Sequence, residues 1–498
     1  MQEINPMKKK TLSGLFWSMA DLISNQGIQF IIQIVLARLL LPEHFGLIAM
    51  MTVLIAISTS IIDCGFTQGL VREKDSSQED YSTVFYFNFF MASILYFIIF
   101  ISSNAIGVFF REPELAPILK ILALVLIIDS FGIIQRVILI KNVDFKTQTK
   151  INLIAGVASG ILALICAVRG YGVWSLVIKT ISMQLIQTVL LWLFNKWIPS
   201  FVFNIKSFKR LFGFGSKLLV SGLIDTAYNN IYFILIGRLY SSSQLGYYTN
   251  AVKLRDVASQ SITASIQRVT YPVLSGIQDD EEKLKIGFRK VMKTTLFIFF
   301  PIMLGLAAIA NPLIPLIYGD KWVTSILYFQ LLCIAGMLYP LHAINLNILQ
   351  VKGRSDLFLL VEIIKKTLLT LLIIMSIWNG SGIIGLIWSA IVNSFVSLLL
   401  NTYFSSKVIS YPVKEQMKDL APGFIISIAM GGITFLSGMV LPGNDLVTLA
   451  CQIIIGIVFY VIASKLAKIE EFDTIYEMIV PLIKRIRHKK YSIADKAN

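Results

Sequence analysis

Apolar runs of roughly twenty residues recur from one end of the chain to the other, separated by short polar breaks. At 1.5 Å per residue, such a run crosses a hydrocarbon layer about 30 Å thick. The pattern predicts fourteen helical spans, six of them at 12–37, 45–70, 81–106, 116–140, 148–168 and 172–194. Six more fall at 213–238, 245–273, 291–317, 324–350, 357–378 and 383–406, and the last two at 419–440 and 446–467. Beyond them, Phe472, Ile475, Ile479, Leu482, Ile483 and Ile486 share one helical face, with a basic run from Lys484 to Lys490. That pattern predicts an interfacial amphipathic tail held against anionic lipid.

Composition narrows the class. Hydrophobic residues make up 56% of the 498 and charged residues only 15%, with a mean hydropathy of +0.74. A soluble domain carries roughly 25% charged residues, so a large globular enzyme is excluded, as is a disordered chain. The net charge of +15 acquires its meaning from position. With the N-terminus inside, 31 of the 44 Lys and Arg fall in cytoplasmic segments or at the inner ends of spans, and 5 in outside turns or at outer ends, namely Arg38, Arg111, Arg169, Arg238 and Lys321. Lys and Arg collect on the cytoplasmic side of membrane proteins, so the alternation supports an even span count with both termini cytoplasmic. Nucleic-acid binding is not expected, because the basic residues lack interleaved stacking aromatics. The start of the chain, Lys8 to Lys10 before a long polar-containing run, does not read as a cleavable signal peptide.

The halves of the chain resemble each other. Arg38-Leu39 and Gly46-Leu47 reappear as Arg238-Leu239 and Gly246-Tyr247, at an offset of 200. Gly170-Tyr171-Gly172-Val173 matches Gly380-Ser381-Gly382-Ile383 at an offset of 210. The reading is an all-α polytopic membrane protein with two six-helix lobes and two C-terminal helices. An even number of spans per repeat relates the lobes by a pseudo-two-fold axis along the membrane normal. In segments, 1–11 is a cytoplasmic N-terminus, 12–194 the N-lobe and 195–212 a cytoplasmic linker. The C-lobe follows at 213–406, spans 13 and 14 lie within 407–467, and 468–498 is the basic tail.

Polar residues inside the spans carry the candidate chemistry. Asp21, Asn25, Gln29 and Gln33 are each four residues apart and form one stripe on the first span. Asp225 and Asn229 repeat that phase on the seventh span. A polar stripe in hydrocarbon must face protein or water, and a shared hydrated cavity is preferred here to interhelical hydrogen bonding. The eighth span is the most polar. Lys253, Asp256, Gln260, Thr263 and Gln267 share a face that suits a cavity wall, while Arg255 lies off it and is placed to pair locally. Asp129 and Lys179 lie deep in their spans and are further cavity candidates. Asp63, Lys120, Arg136 and the Glu362–Lys366 group lie near span ends, where snorkelling suffices. Arg38 and Arg238 form a repeat-related basic pair at the outer ends, suited to substrate or to headgroups.

Several chemistries find no support. Gly380 to Gly385 spells G-x-G-x-x-G, but it enters an apolar span rather than following a strand, so a tight turn is the better reading. Cys64, Cys166, Cys333 and Cys451 are scattered, as are His44, His342 and His488, giving no metal site or disulfide framework. His342 reads as a packed, hydrogen-bonded residue, and no nucleophile, paired catalytic carboxylates or phosphate loop can be assembled. No catalytic residues and no cofactor are expected, and coupling to H+ or Na+ is left open.

Ala37-Arg38-Leu39-Leu40-Leu41-Pro42-Glu43-His44-Phe45-Gly46-Leu47 resembles a segment of the polysaccharide exporters. Gly246-Tyr247-Tyr248-Thr249-Asn250-Ala251 and Tyr271-Pro272-Val273-Leu274-Ser275 resemble their second-half signatures. Together they resemble the Wzx-type, WzxC-like flippases of the multidrug/oligosaccharidyl-lipid/polysaccharide superfamily. That resemblance implies translocation of an undecaprenyl-diphosphate-linked oligosaccharide across a bacterial inner membrane for O-antigen, capsule or exopolysaccharide assembly. It implies membrane lipids and other polysaccharide assembly proteins as partners. Within the superfamily the alternatives are a cation-coupled multidrug antiporter and a lipid II flippase. A membrane polymerase or ligase would need an outside catalytic loop that the chain lacks.

Overall fold

The computed structural model describes residues 6–441, 443–475 and 477. Among these, all regular structure is helical. The basic end of the tail lies outside the described residues. Eleven helices there are long and apolar enough to cross a membrane, which makes the chain a multi-pass membrane protein. The segments predicted at 12–37, 245–273 and 357–378 are helical as well but are not among the eleven. The first two are polar along one face, and the third carries Glu362, Lys365 and Lys366. In all three, these polar and charged residues dilute the hydropathy.

The chain forms two compact units, Met1–Asn250 and Ala251–Asn498. The first holds α1 (Pro6–Leu39), α2 (Pro42–Asp63), α3 (Phe66–Arg72), α4 (Gln78–Phe110) and α5 (Leu115–Leu122). It continues with α6 (Leu124–Lys141), α7 (Phe145–Val168), α8 (Trp174–Phe194), α9 (Ile205–Leu239) and the first turns of α10 (Ser242–Ser275). Helices α1, α7 and α8 pack in sequence, α8 also packs on α6 and α6 on α4, while α9 lies against α2 and α4. The unit therefore extends past the expected lobe end at 194 and through the 195–212 linker to take in α9, whose helix already starts at Ile205.

Glycine explains why α9 sits there. The second span breaks at Cys64 and Gly65, both left-handed, with φ of 48° and 72°. A Cβ on Gly65 would lie 2.7 Å from the Gly215 carbonyl oxygen, and one on Gly215 would lie 2.3 Å from that of Cys64. Backbone meets backbone, which only glycine permits. Around this break Phe66, Leu70, Val84, Phe85, Ile134, Val137 and Leu211 form a core cluster, edged by Trp192 and Trp197. Ser77 caps α4, accepting from the Asp80 amide at 3.2 Å while the Asp80 carboxylate accepts from the Ser77 amide at 2.9 Å. Arg210 of α9 pairs with the buried Asp80 at 2.6 Å.

The repeat is written into the turns. Helices α1 and α9 end at Leu39 and Leu239, and α2 and α10 begin at Pro42 and Ser242. There the two turns cross reciprocally. A Cβ on Gly46 would lie 1.8 Å from the Ser242 carbonyl oxygen, and one on Gly246 would lie 1.8 Å from the Pro42 carbonyl oxygen. The Gly170 and Gly380 turns also match. Both glycines are left-handed, with φ of 81° and 62°, and their amides donate to Ala167 and Ile377 at 3.1 Å in each case. The G-x-G string is thus a tight helix-to-helix turn, as its setting implies.

The second unit holds the rest of α10, α11 (Glu281–Ala308), α12 (Ala310–Tyr318), α13 (Ser325–Gly336), α14 (Tyr339–Val351) and α15 (Ser355–Trp378). It ends with α16 (Gly382–Ile409), α17 (Val413–Val440) and α18 (Asp445–Leu466). Here α11 packs on α17 and α13, α16 on α13, α14 and α15, and α18 on α17. The fourth span of each repeat is broken, at Ala123 between α5 and α6 and at Met337-Leu338 between α13 and α14.

Candidate functional site

A cavity of about 680 Å³ opens within the first unit between α2, α3, α6 and α9. Its polar wall is made by Thr59, Ser60, Asp63, Thr67, Asp129, Arg136, Thr226, Asn229 and Asn230, and its apolar wall by Ala56, Ile133 and Ile140. The geometry follows from the helices. Thr59, Ser60 and Asp63 lie on one face of α2 through three- and four-residue spacing, and Asp129 and Arg136 are two turns apart on α6. The side chains are cross-linked. Asp129 accepts from both Arg136 and Gln184, and Asp63 accepts from the Thr67 hydroxyl. The Ser60 and Thr226 hydroxyls meet at 3.2 Å, tying α2 to α9. Asn229 is exposed on the cavity wall.

Two carboxylates face one guanidinium here, and the rest of the polar lining is hydroxyl and amide. Such a surface offers alternating donors and acceptors to a polyhydroxylated ligand. It is not a phosphate cradle, which would need cations in excess.

The sequence-predicted residues divide among three places. Asp129 and Asn229 line the cavity. Asp21, Asn25 and Gln29 of the α1 stripe face α7 and α8 in the same unit. Asn152 donates to both Asp21 oxygens at 3.1 and 3.3 Å, and Gln187 donates to Asn152 at 3.2 Å. Asn25 and Gln29 lie over Gly156, and the Gln29 amide is 3.5 Å from the Met183 sulfur. Gln33 is buried and donates to Asn250 at 2.6 Å. Gln184 and Gln187 are neighbours on α8, so amides run from the stripe toward Asp129. Lys179 is half-buried on α8, and Asp225 is exposed on α9.

In the second unit, Arg255 pairs with Asp256 at 2.6 Å and lies over the Tyr339 ring at 5.3 Å, the local pairing its off-face position implies. Lys253 is exposed, and the Gln260 side chain lies outside the described residues. At the outer ends, Arg238 stacks on Phe109 at 5.1 Å, and Arg38 is exposed. His342 bonds Ser394 at 3.2 Å and Asn401 at 3.1 Å, a packed histidine. Among the described residues no cluster of metal-ligating side chains occurs.

Sequence reasoning assigns Asp63 and Arg136 to span ends, yet both turn into the cavity. It passes over Thr59, Ser60, Thr226 and Asn230, since single hydroxyls and amides are common in spans. Phase relative to Asp129 and Asn229 is the signal that could have found them.

Fold and cavity together define a multi-pass helical membrane protein with an internal repeat and a hydrophilic chamber among its spans. The family described as polysaccharide biosynthesis protein matches residues 35–327, and the chain belongs to that family. The chain is 27% identical to the lipopolysaccharide biosynthesis protein WzxC of Escherichia coli strain K12, over 88% of this chain and 89% of that one. It is 28% identical to the teichuronic acid biosynthesis protein TuaB of Bacillus subtilis strain 168, over 75% and 78% respectively. Its fold resembles the lipid II flippase MurJ in an inward closed conformation, with a TM-score of 0.75 and 17% identity, over 91% of this chain and 98% of that chain.

Proposed function

We propose that the chain is a flippase. It would carry an undecaprenyl-diphosphate-linked oligosaccharide from the inner to the outer leaflet of a bacterial inner membrane by alternating access, for surface polysaccharide assembly. The observation that carries this reading is the hydroxyl, amide and carboxylate lining of the α2–α3–α6–α9 cavity, placed among membrane-spanning helices. Sugars cannot cross hydrocarbon because their hydrogen bonds to water would go unreplaced. A wall of Thr59, Ser60, Asn229, Asn230 and the carboxylates replaces them. The sugar portion is assigned to this wall. The diphosphate is assigned to cations elsewhere in the spans, Lys179 and Lys253 first. The polysaccharide-assembly roles of the relatives support this reading.

The full topology belongs to the same proposal: fourteen spans, with both termini cytoplasmic. The chain is read as a carrier and not a catalyst. A coupling cation, if one is used, is assigned to the carboxylates Asp63 and Asp129.

The test is translocation of a lipid-linked oligosaccharide in proteoliposomes. Asn229 is exposed, so Asn229→Ala should leave the thermal midpoint in place. Losing one or two sugar hydrogen bonds should slow translocation about five- to tenfold. An unchanged rate for Asn229→Ala together with Thr59→Val removes this cavity from the path.

A further inference from the structure

In the second unit, a smaller cavity of about 260 Å³ lies where α11, α17 and the residues after α18 converge. The predicted inner boundaries of their three spans, near 291, 419 and 467, all fall at this point. Its floor is apolar, made by Leu296, Phe297 and Phe300, all buried. Its rim is charged, and the rim charges are not equivalent. Arg289 holds Asp419 in a two-pronged pair at 2.6 Å. Lys293 holds Glu470 at 3.0 Å and Glu471 at 2.6 Å. The two α11 cations therefore face three rim carboxylates, with Lys293 shared between Glu470 and Glu471. Lys418 and Lys468 also line the cavity, are exposed, and have no ion-pair partner among the described residues. With Arg289, Lys293, Lys418 and Lys468 against Asp419, Glu470 and Glu471, the rim keeps one net positive charge over an apolar floor.

Lys468 is held there by a special backbone. It occupies the left-handed region at φ 51°, where the amides of Lys468 and Ile469 donate back to Lys465 and Ser464 at 3.2 Å. This is the usual closure of a helix C-terminus, but with lysine where glycine is the default, at a modest strain cost.

We propose that this cavity binds the phosphate of an anionic phospholipid of the cytoplasmic leaflet, with Lys418 and Lys468 as its cationic partners. A phosphodiester supplies the missing negative charge, and its glycerol end meets the apolar floor. The leaflet assignment rests on the topology given under Proposed function.

The experiment uses the full chain in phosphatidylcholine nanodiscs doped with phosphatidylglycerol, with lipid retention read by native mass spectrometry. Lys418→Gln with Lys468→Asn removes both charges, and Asn tolerates the left-handed backbone. Phosphatidylglycerol retention should weaken on the order of tenfold. The pair Lys414→Gln and Lys465→Gln removes two nearby exposed lysines, on α17 and α18, that do not line the cavity, and it should leave retention within about twofold, the level expected of diffuse surface charge alone. Lys418→Arg with Lys468→Arg should retain the lipid. Equal loss in both Gln/Asn pairs, or no loss in the cavity pair, overturns the site. Displacement of the lipid by millimolar inorganic phosphate would assign the cavity to the free ion and overturn the lipid. Translocation plays no part in this readout, so failure of the carrier reading leaves it intact. In a background with Cys64, Cys166, Cys333 and Cys451 replaced by Ser, labelling of Lys468→Cys from outside intact cells by an impermeant thiol reagent would overturn the leaflet.

Discussion

Val143 holds a left-handed backbone at φ 56°, in the turn between α6 and α7. Its repeat partner 210 positions on is Gly353, at φ 67°, with the same pair of backward hydrogen bonds. A β-branched residue in that region costs about 1 kcal/mol or more. Val143→Gly should therefore raise the thermal midpoint of the purified protein, and a fall would show that Val143 packing outweighs the strain. Phe66 makes the opposite case. It is fully buried, with Phe87 at 5.1 Å and Phe208 at 5.9 Å. Phe66→Ala should cost about 3–5 kcal/mol and lower the detergent-resistant folded fraction sharply. Neither effect was legible in the sequence. Val143 looks like an ordinary apolar residue, and Phe66 is one of 33 phenylalanines. What the sequence does disclose at this scale is periodicity, as in the α1 stripe, whose Gln33 and Asp21 both find polar partners.

At the scale of elements, α1 and α7 are joined by small residues. Gly156 and Gly160 face α1, and a Cβ on Gly160 would lie 2.3 Å from Ile32. This G-x-x-x-G spacing lets two helices approach closely in lipid. Gly160→Leu should separate them, break the Asp21–Asn152 bonds and expose the stripe. Proteolysis of α1 in membranes should then accelerate, and unchanged protection would mean that other contacts hold the helix. Eleven of the predicted spans were legible as apolar helices because twenty apolar residues leave few alternatives. The break at Ala123 was not, since the residues around it are good helix formers, whereas Gly336 and Pro340 flank the break at Met337-Leu338 and mark it in the sequence.

At the scale of the whole molecule, the repeat was legible and the compact units were not. The offset of 200 survives as matched helix ends, whereas the Met1–Asn250 unit takes α9 across the repeat boundary. Sequence similarity records ancestry of segments, while compactness records which surfaces touch, and the Gly65–Gly215 approach decides the latter. Asp129 with Arg136 shows the same division. Each was visible alone, but the seven-residue spacing that pairs them acquires meaning only once α8 supplies Gln184. Arg136→Gln should leave Asp129 partly uncompensated and reduce both folding yield and export, while Arg136→Gln with Asp129→Asn should recover yield before export. Equal recovery of both would make the pair purely structural.

The reciprocal crossing of Gly46 and Gly246 has a consequence for how this gene can drift. Each position abuts a carbonyl of the other repeat at 1.8 Å from where a methyl would sit, so no substitution at one can be compensated at the other. Two codons 200 apart behave as a single inherited character, closed to pairwise covariation. In a saturation library selected for folded protein, both should return glycine alone, while neighbouring Leu47 and Tyr247 accept other apolar residues.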